Sequence, residues 1–149
     1  MGVRRLKQKI RSFAKVFLDT VIFIYFFEEN PQWIDLVLPI FQLAELKKVK
    51  LVTSNITALE VITGYKKSGK EEFVKKFWEM LRDFDIELLN FKKTHIEKAA
   101  QLRVDFNLRT PDAIQASLAI KDKIPAFVTN DKRFKKIKEL KVIYLGDFK

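Results

Sequence analysis

Val16 to Phe27 is the most apolar run of the chain, and a single carboxylate, Asp19, interrupts it. An ionised group left unpaired in an apolar interior costs several kcal/mol or takes up a proton, so Asp19 needs a reason to be there. Elsewhere, short apolar or β-branched runs alternate with longer stretches of helical spacing. The runs expected as strands are Val16–Asp19, Lys50–Ser54, Ile86–Asn90, Ala126–Thr129 and Val142–Leu145. Between them, "KEEFVKKFWEMLRDF" sets Phe73, Val74, Phe77, Trp78 and Leu81 on one helical stripe. "PQWIDLVLPIFQLAELKK" begins with Pro31, suited to a first helical turn, and Pro39 inside it predicts a kink or a break. Strands separated by helices run parallel and are joined by right-handed crossovers. The expected fold is therefore α/β, a three-layer α/β/α sandwich around a parallel sheet of about five strands. Val21–Phe27 is apolar around its whole circumference, which predicts burial on most sides. Whatever part of it the fold leaves uncovered, with Trp33 and Phe41, is expected to form a dimer interface or a partner's groove, and ordinary core packing explains these residues equally well.

Composition narrows the chemistry. At 149 residues, with 48% apolar and 32% charged side chains, the chain reads as one globular domain rather than a disordered one. It has no cysteine, which excludes disulfides and thiolate metal sites and leaves oxygen ligands or the one histidine for any metal. The net charge of +10 favours a polyanionic partner. Residues 1–14 are basic and lack acids, and are expected to form an extension preceding a domain over 15–149. The apolar run after them is too short for a bilayer, which needs about 20 residues. A soluble, cytoplasmic protein without a membrane partner is expected.

In open α/β sheets, sites form beyond the carboxyl ends of the strands, and the residues at those ends here are acids. Asp19 closes the first strand, Glu60 falls in the second turn of the helix after the second, and Asp131 stands just past the fourth. Pattern alone brings these three to one edge of the sheet. It leaves Asp112 unplaced, at the second helical position after a Thr110 cap and Pro111. Singly, Asp19, Asp112 and Asp131 are explained as helix caps or dipole partners, and Glu60 as a solvent-facing helix residue. Together they raise a charge problem: two carboxylates about 4 Å apart repel by about 4 kcal/mol at an effective dielectric near 20. Protons or a hard divalent cation offset that repulsion.

The ordered motifs "FLDT", "ITALEVITG", "TPDAIQAS" and "TNDKRF" resemble those of the PIN-domain ribonucleases, in particular the VapC-like toxins of prokaryotic toxin–antitoxin modules. The resemblance runs from Val16 to the C-terminus. It implies one acidic pocket of Asp19, Glu60, Asp112 and Asp131, and it is the resemblance that adds Asp112. These four would be the catalytic and metal-binding residues, holding one or two Mg2+ or Mn2+ ions for hydrolysis of an RNA phosphodiester. Thr129 is similar to the small hydroxyl residue that lines such sites, and Thr20 follows the first Asp as expected. The implied partners are an RNA substrate, an antitoxin that covers the pocket, and a second copy in a homodimer. Asp105 and Asp122 lie outside the motifs and are expected at the surface.

The basic groups Lys132, Arg133, Lys135 and Lys136, the group Lys66, Lys67 and Lys70, and Arg109 beside Asp112 are candidates for holding RNA phosphates; a solvated charged face explains them equally well. His95 lies in a helical pattern without a carboxylate motif and is expected to be structural. A phosphatase of the haloacid-dehalogenase type also places an Asp after its first strand, but wants a second one where Val21 stands. A receiver domain wants paired acids near the first strand, and these are absent. The remaining alternatives are a PIN nuclease of RNA processing that is not a toxin, and a non-catalytic PIN-like RNA-binding protein; all four acids being present speaks against the latter.

Overall fold

The computed structural model describes residues 1–149. Its centre is a sheet of five strands: β1 (Lys15–Leu18), β2 (Lys50–Ser54), β3 (Glu87–Leu89), β4 (Ala126–Thr129) and β5 (Val142–Tyr144). All are parallel, in the spatial order β3-β2-β1-β4-β5. The strands end one residue earlier than expected at Asp19, Asn90 and Leu145, because those residues begin the next segment rather than extend the ladder. Chain order runs outward from β1 to β3 and then returns to the other side of β1, so the direction reverses between β1 and β4. That reversal opens a crevice at the carboxyl ends of these two strands.

Seven helices surround the sheet: α1 (Gly2–Arg11), α2 (Thr20–Phe27), α3 (Ile34–Glu45), α4 (Asn55–Lys67), α5 (Glu71–Asp83), α6 (Lys93–Phe106) and α7 (Thr110–Lys121). Short 3-10 helices follow β4 (Lys132–Lys136) and β5 (Leu145–Phe148). The pleat sends alternate strand residues to opposite faces. Val16 and Leu18 of β1, with Ala126 and Val128 of β4, join a core shared with α1 to α5. Phe17 and Phe127 point the other way, toward α6 and α7, and their rings stack at 5.2 Å. Both faces of the sheet are thus buried, which is why these strands read as continuous apolar runs.

α2 enters the larger core as expected. Ile22 and Phe23 are buried, while Phe26 and Phe27 are partly buried in a cluster of rings with Phe41, Phe77 and Phe84. Phe41 is therefore core, not interface. α3 starts at Ile34, three residues later than Pro31 suggests, and it runs unbroken through Pro39. The missing N–H of Pro39 is offset by the burial of Leu36, Val37, Ile40, Phe41 and Leu43 around it. Trp78 shares the apolar spacing of α5 but lies at the edge of its stripe and is 49% exposed. The basic N-terminal segment forms α1, whose Leu6 and Ile10 are fully buried against the core. No helix is long and apolar enough to cross a membrane.

Candidate active site at the strand reversal

Asp19 sits where β1 becomes α2, with extended backbone, and caps that helix by accepting from Thr20 N at 2.8 Å. Ser54 caps α4 in the same way after β2, accepting from Thr57 N, and α4 carries Glu60 one and a half turns in. Asp131 follows β4 and caps the 3-10 helix, accepting from Arg133 N at 3.0 Å. Asp19 and Asp131 are thus held at strand ends by the local geometry of a strand-to-helix switch, and Glu60 by the helix that such a switch begins. Asp112 comes from the opposite layer, in the first turn of α7. There Arg109, not Thr110, precedes the helix, and Thr110 and Pro111 are already its first residues.

All four acids line one cleft of about 330 Å³, together with Thr20, Val21, Ile24, Tyr25, Arg109 and Asn130. Thr129 adjoins it from below and donates to Asp19 Oδ2 at 2.7 Å, and its hydroxyl accepts from Asp131 N at 3.0 Å. Thr20 Oγ1 donates to Glu60 Oε1 at 2.8 Å, tying the helices that follow β1 and β2. Lys132, Lys135 and Lys136 are exposed on the 3-10 helix next to the cleft, where Lys135 pairs with Asp147 at 2.7 Å. Lys66 and Lys67 lie in the last turn of α4 and do not reach the cleft; Lys66 pairs with Glu71 at 3.2 Å.

The electrostatics divide the cleft in two. Asp19 is 9% exposed and has no cationic partner. Burial pushes its carboxyl up to about 6, against the opposing effect of hydrogen bonds from Thr129, Thr20 N and Gln115, while the nearby Asp112 charge raises it further. Asp112, 7% exposed, is gripped by Arg109 through Nε at 3.0 Å and Nη2 at 3.3 Å, with Arg133 Nη2 at 3.6 Å. Asp131 is paired with Arg133 at 2.6 Å, and that guanidinium holds its carboxyl below the usual carboxylate range.

A hard divalent cation suits this donor set, which is four carboxylates and no softer ligand, with one carboxylate buried and uncompensated. As they stand, no three Asp, Glu or His side chains are gathered closely enough to enclose an ion. Arg109 and Arg133 instead supply positive charge to the outer two acids.

A polar residue not foreseen from the sequence organises the floor. Gln115, 1% exposed, donates from Nε2 to Thr57 Oγ1 at 2.8 Å and to Asp19 Oδ1 and Thr20 Oγ1 at 3.3 Å each. Its Oε1 accepts from Ser54 Oγ. The available signal was spacing: Gln115 stands three residues after Asp112, and Thr57 three before Glu60, so each pair shares a helix face. His95 lies away from the cleft. Its Nδ1 accepts from Lys92 N at 2.9 Å, leaving Nε2 to donate to Asp122 at 2.8 Å, a structural arrangement at the start of α6.

Comparison with known proteins bears on this arrangement. The family model described as PIN domain matches residues 16–140. No curated protein matches the chain. Similar solved structures include VapBC2 from Rickettsia felis bound to a DNA fragment from their promoter. It is 24% identical with a TM-score of 0.71, over 87% of this chain and 98% of that one. A toxin–antitoxin complex from Klebsiella pneumoniae is 23% identical with a TM-score of 0.65, over 87% and 97% of the two chains. VapBC-1 from nontypeable Haemophilus influenzae is 19% identical with a TM-score of 0.65, over 89% and 98%. At these identities the likeness is one of fold.

Proposed function

Because this chain belongs to the PIN-domain family, we propose that it is a metal-dependent endoribonuclease whose cleft hydrolyses RNA phosphodiester bonds. The observation that carries the proposal is Asp19: a buried carboxylate, without a cation of its own, in a cleft lined by three more acids. Asp19, Glu60, Asp112 and Asp131 would hold Mg2+ or Mn2+. A bound ion of this kind supplies Lewis acidity and lowers the pKa of water.

The chain's own residues do the positioning. Thr129, Thr20 N and Gln115 fix the orientation of Asp19, and Thr20 fixes Glu60. Arg109 and Arg133 present planar donors at the rim, a geometry that suits the oxygens of a phosphate as well as those of a carboxylate. With Asp112 and Asp131 engaged as ligands, Arg109 and Arg133 would be free to contact the backbone of the RNA. Lys132 and Lys136, exposed and outside any ion pair, add to the same field.

The likeness to VapBC and to a toxin–antitoxin complex supports a further step, that this nuclease is the toxin of a type II module and is held silent by a cognate antitoxin over the acidic cleft. Two measurements test the proposal. RNA cleavage is expected with Mn2+, absent with EDTA, and absent in Asp112→Asn; cleavage that survives both chelation and the substitution would overturn the metal reading. Expression of the chain alone is expected to arrest growth, with relief when a small neighbouring upstream frame is expressed with it. Relief by Asp112→Asn but not by that frame would keep the nuclease and remove the toxin.

A further inference from the structure

Five cations and five aromatic rings meet along one border of the molecule, and most of them lie outside the part matched by the family. Tyr25 begins the series. It lines the cleft, and its hydroxyl accepts from Asn130 Nδ2 at 2.9 Å, next to Asp131. Its ring stacks on Trp33, with centroids 5.8 Å apart and planes inclined by 12°. Lys149 Nζ stands 4.8 Å from the centre of the Trp33 ring, and the neighbouring Phe148 ring carries Arg5 at 5.3 Å. Arg5 in turn donates to the Asp147 carbonyl at 2.7 Å, while the Asp147 carboxylate holds Lys135, whose Nζ lies 4.8 Å over the ring of Tyr144. Farther out, Lys9 and Lys141 flank Phe13. Tyr25, Trp33, Tyr144, Phe148 and Phe13 are all partly exposed.

We propose that this border is a stacking platform for single-stranded RNA, which leads from the cleft across the end of β5 to α1. The inference rests on the ribonuclease reading and adds to it the path that the RNA strand follows outside the cleft. Rings interleaved with cations are what an unpaired strand requires, since each base offers a π-face and each linkage a negative charge. A duplex keeps its base faces inside its own stack and offers no such surface. The cations over the rings do not block the bases. An exposed cation–π contact is weaker than base–aromatic stacking, so an arriving base displaces the lysine or arginine onto its own phosphate. Four of the five rings, all but Tyr144, are packed against the core and so have no reach to insert into a bilayer.

The platform also gives a role to α1. Gly2 approaches the backbone of Phe148 so closely that a Cβ there would stand 1.7 Å from the carbonyl oxygen. This contact seats Arg5 beside Phe148 at the end of the series. None of the five basic residues of α1 is paired with a carboxylate, so their charge is available to a strand that has left the cleft.

The test uses the two tryptophans of the chain. In an Asp112→Asn, Trp78→Phe protein kept in EDTA, RNA stays intact and Trp33 is the sole tryptophan, excited selectively on the red edge of its absorption. Unlabelled single-stranded RNA of about twelve nucleotides is expected to quench Trp33 on saturation, whereas duplex RNA of the same sequence and heparin are not. Tyr144→Ala, a change outside the core, is expected to weaken single-strand binding about tenfold. Trp33→Phe is expected to retain affinity that Trp33→Leu loses. Saturation without a change in emission, or equal affinity for the duplex, would overturn the platform. Because these readouts need no cleavage, they separate the two readings. RNA cleavage by the wild type without quenching removes the platform alone. Quenching without any cleavage by the wild type removes the nuclease alone.

Discussion

The floor and the rim of the cleft are built from the same residue type and behave in opposite ways. At the floor, Asp19 is buried among neutral donors, and burial pushes its carboxyl up to about 6. At the rim, Asp131 is drawn below the usual range by Arg133, and Asp112 is clasped by Arg109 and approached by Arg133. The rim is electrostatically complete as it stands. The floor is not: Thr129, Thr20 N and Gln115 orient Asp19 without neutralising it. A protein that needed Asp19 only as a helix cap could use Ser or Asn at no such expense. The contrast places the uncompensated charge at the floor and the compensated charges at the rim.

The largest effect should come from removing the floor charge. Asp19→Asn is expected to lower Mn2+-dependent RNA cleavage by on the order of 100-fold or more, as loss of a group aimed at developing charge does. The same change should stabilise the metal-free protein. The folded-state pKa of Asp19, about 6, lies above its ordinary 3.8, so the folded protein binds the extra proton between these values. Stability linked to that proton is complete below about pH 4 and is lost as pH rises through about 6. Urea unfolding in EDTA should therefore find the variant more stable than the wild type by up to about 3 kcal/mol at pH 7, and equal to it near pH 4. Equal stability at both pH values would mean that Asp19 is not strained at all.

Next in size is the support beneath the floor. Gln115→Leu removes the group that joins Ser54, Thr57, Thr20 and Asp19, taking the acceptor from the buried Ser54 hydroxyl and a donor from Thr57 and Asp19. A loss of about 2–3 kcal/mol is expected in urea unfolding, with Asp19 pushed still higher for want of a donor. An NMR titration of the Asp19 carboxyl in the metal-free variant checks the second part. A variant as stable as the wild type would show that the network is carried by water instead.

The two parts of the cleft also differ in how far the sequence announced them. Asp19, Glu60 and Asp131 were legible because each follows an apolar run, and an apolar run in a parallel sheet ends at the same edge. Asp112 was not, because it belongs to α7, which reaches the edge only through the packing of α6 and α7 on the far face; only family resemblance supplied it. The Arg133 contact to Asp112 was hidden for a similar reason, since it spans α7 and the 3-10 helix after β4. Gln115 reads as an ordinary helix polar residue until the helix is seen to bury that side. The strands came through to within a residue because continuous β-branched runs have few other uses. Pro39 does not break its helix because a proline's cost is local whereas the burial that offsets it is tertiary. Trp78 misled because spacing fixes a direction around a helix but not how far the covering layer extends.

The smaller effects belong to the rim and beyond. Arg133→Gln is expected to change stability by no more than about 1 kcal/mol, since half-exposed ion pairs contribute little. In an Asp112→Asn background it should reduce the salt slope of single-stranded RNA binding by about 0.7, the share of one phosphate contact. An unchanged slope would confine Arg133 to its carboxylates and remove it from the RNA.

Smallest of all should be the response of the Lys66 and Lys67 pair, and it sharpens the comparison by marking where the site ends. α4 starts at the cleft and runs away from it, and Lys67 lies about 10 Å beyond Glu60 at 1.5 Å per residue. Lys66 is engaged with Glu71 in an exposed pair, and both lysines complement the carboxyl end of their own helix. Neutralising both to Gln should therefore leave the salt slope of RNA binding where it was and cost stability only tenths of a kcal/mol. Measured beside Arg133→Gln under the same conditions, the pair separates proximity from charge. If net charge alone drew the RNA, two lost lysines would matter more than one lost arginine. If the phosphates are held at the rim, the single arginine outweighs them both.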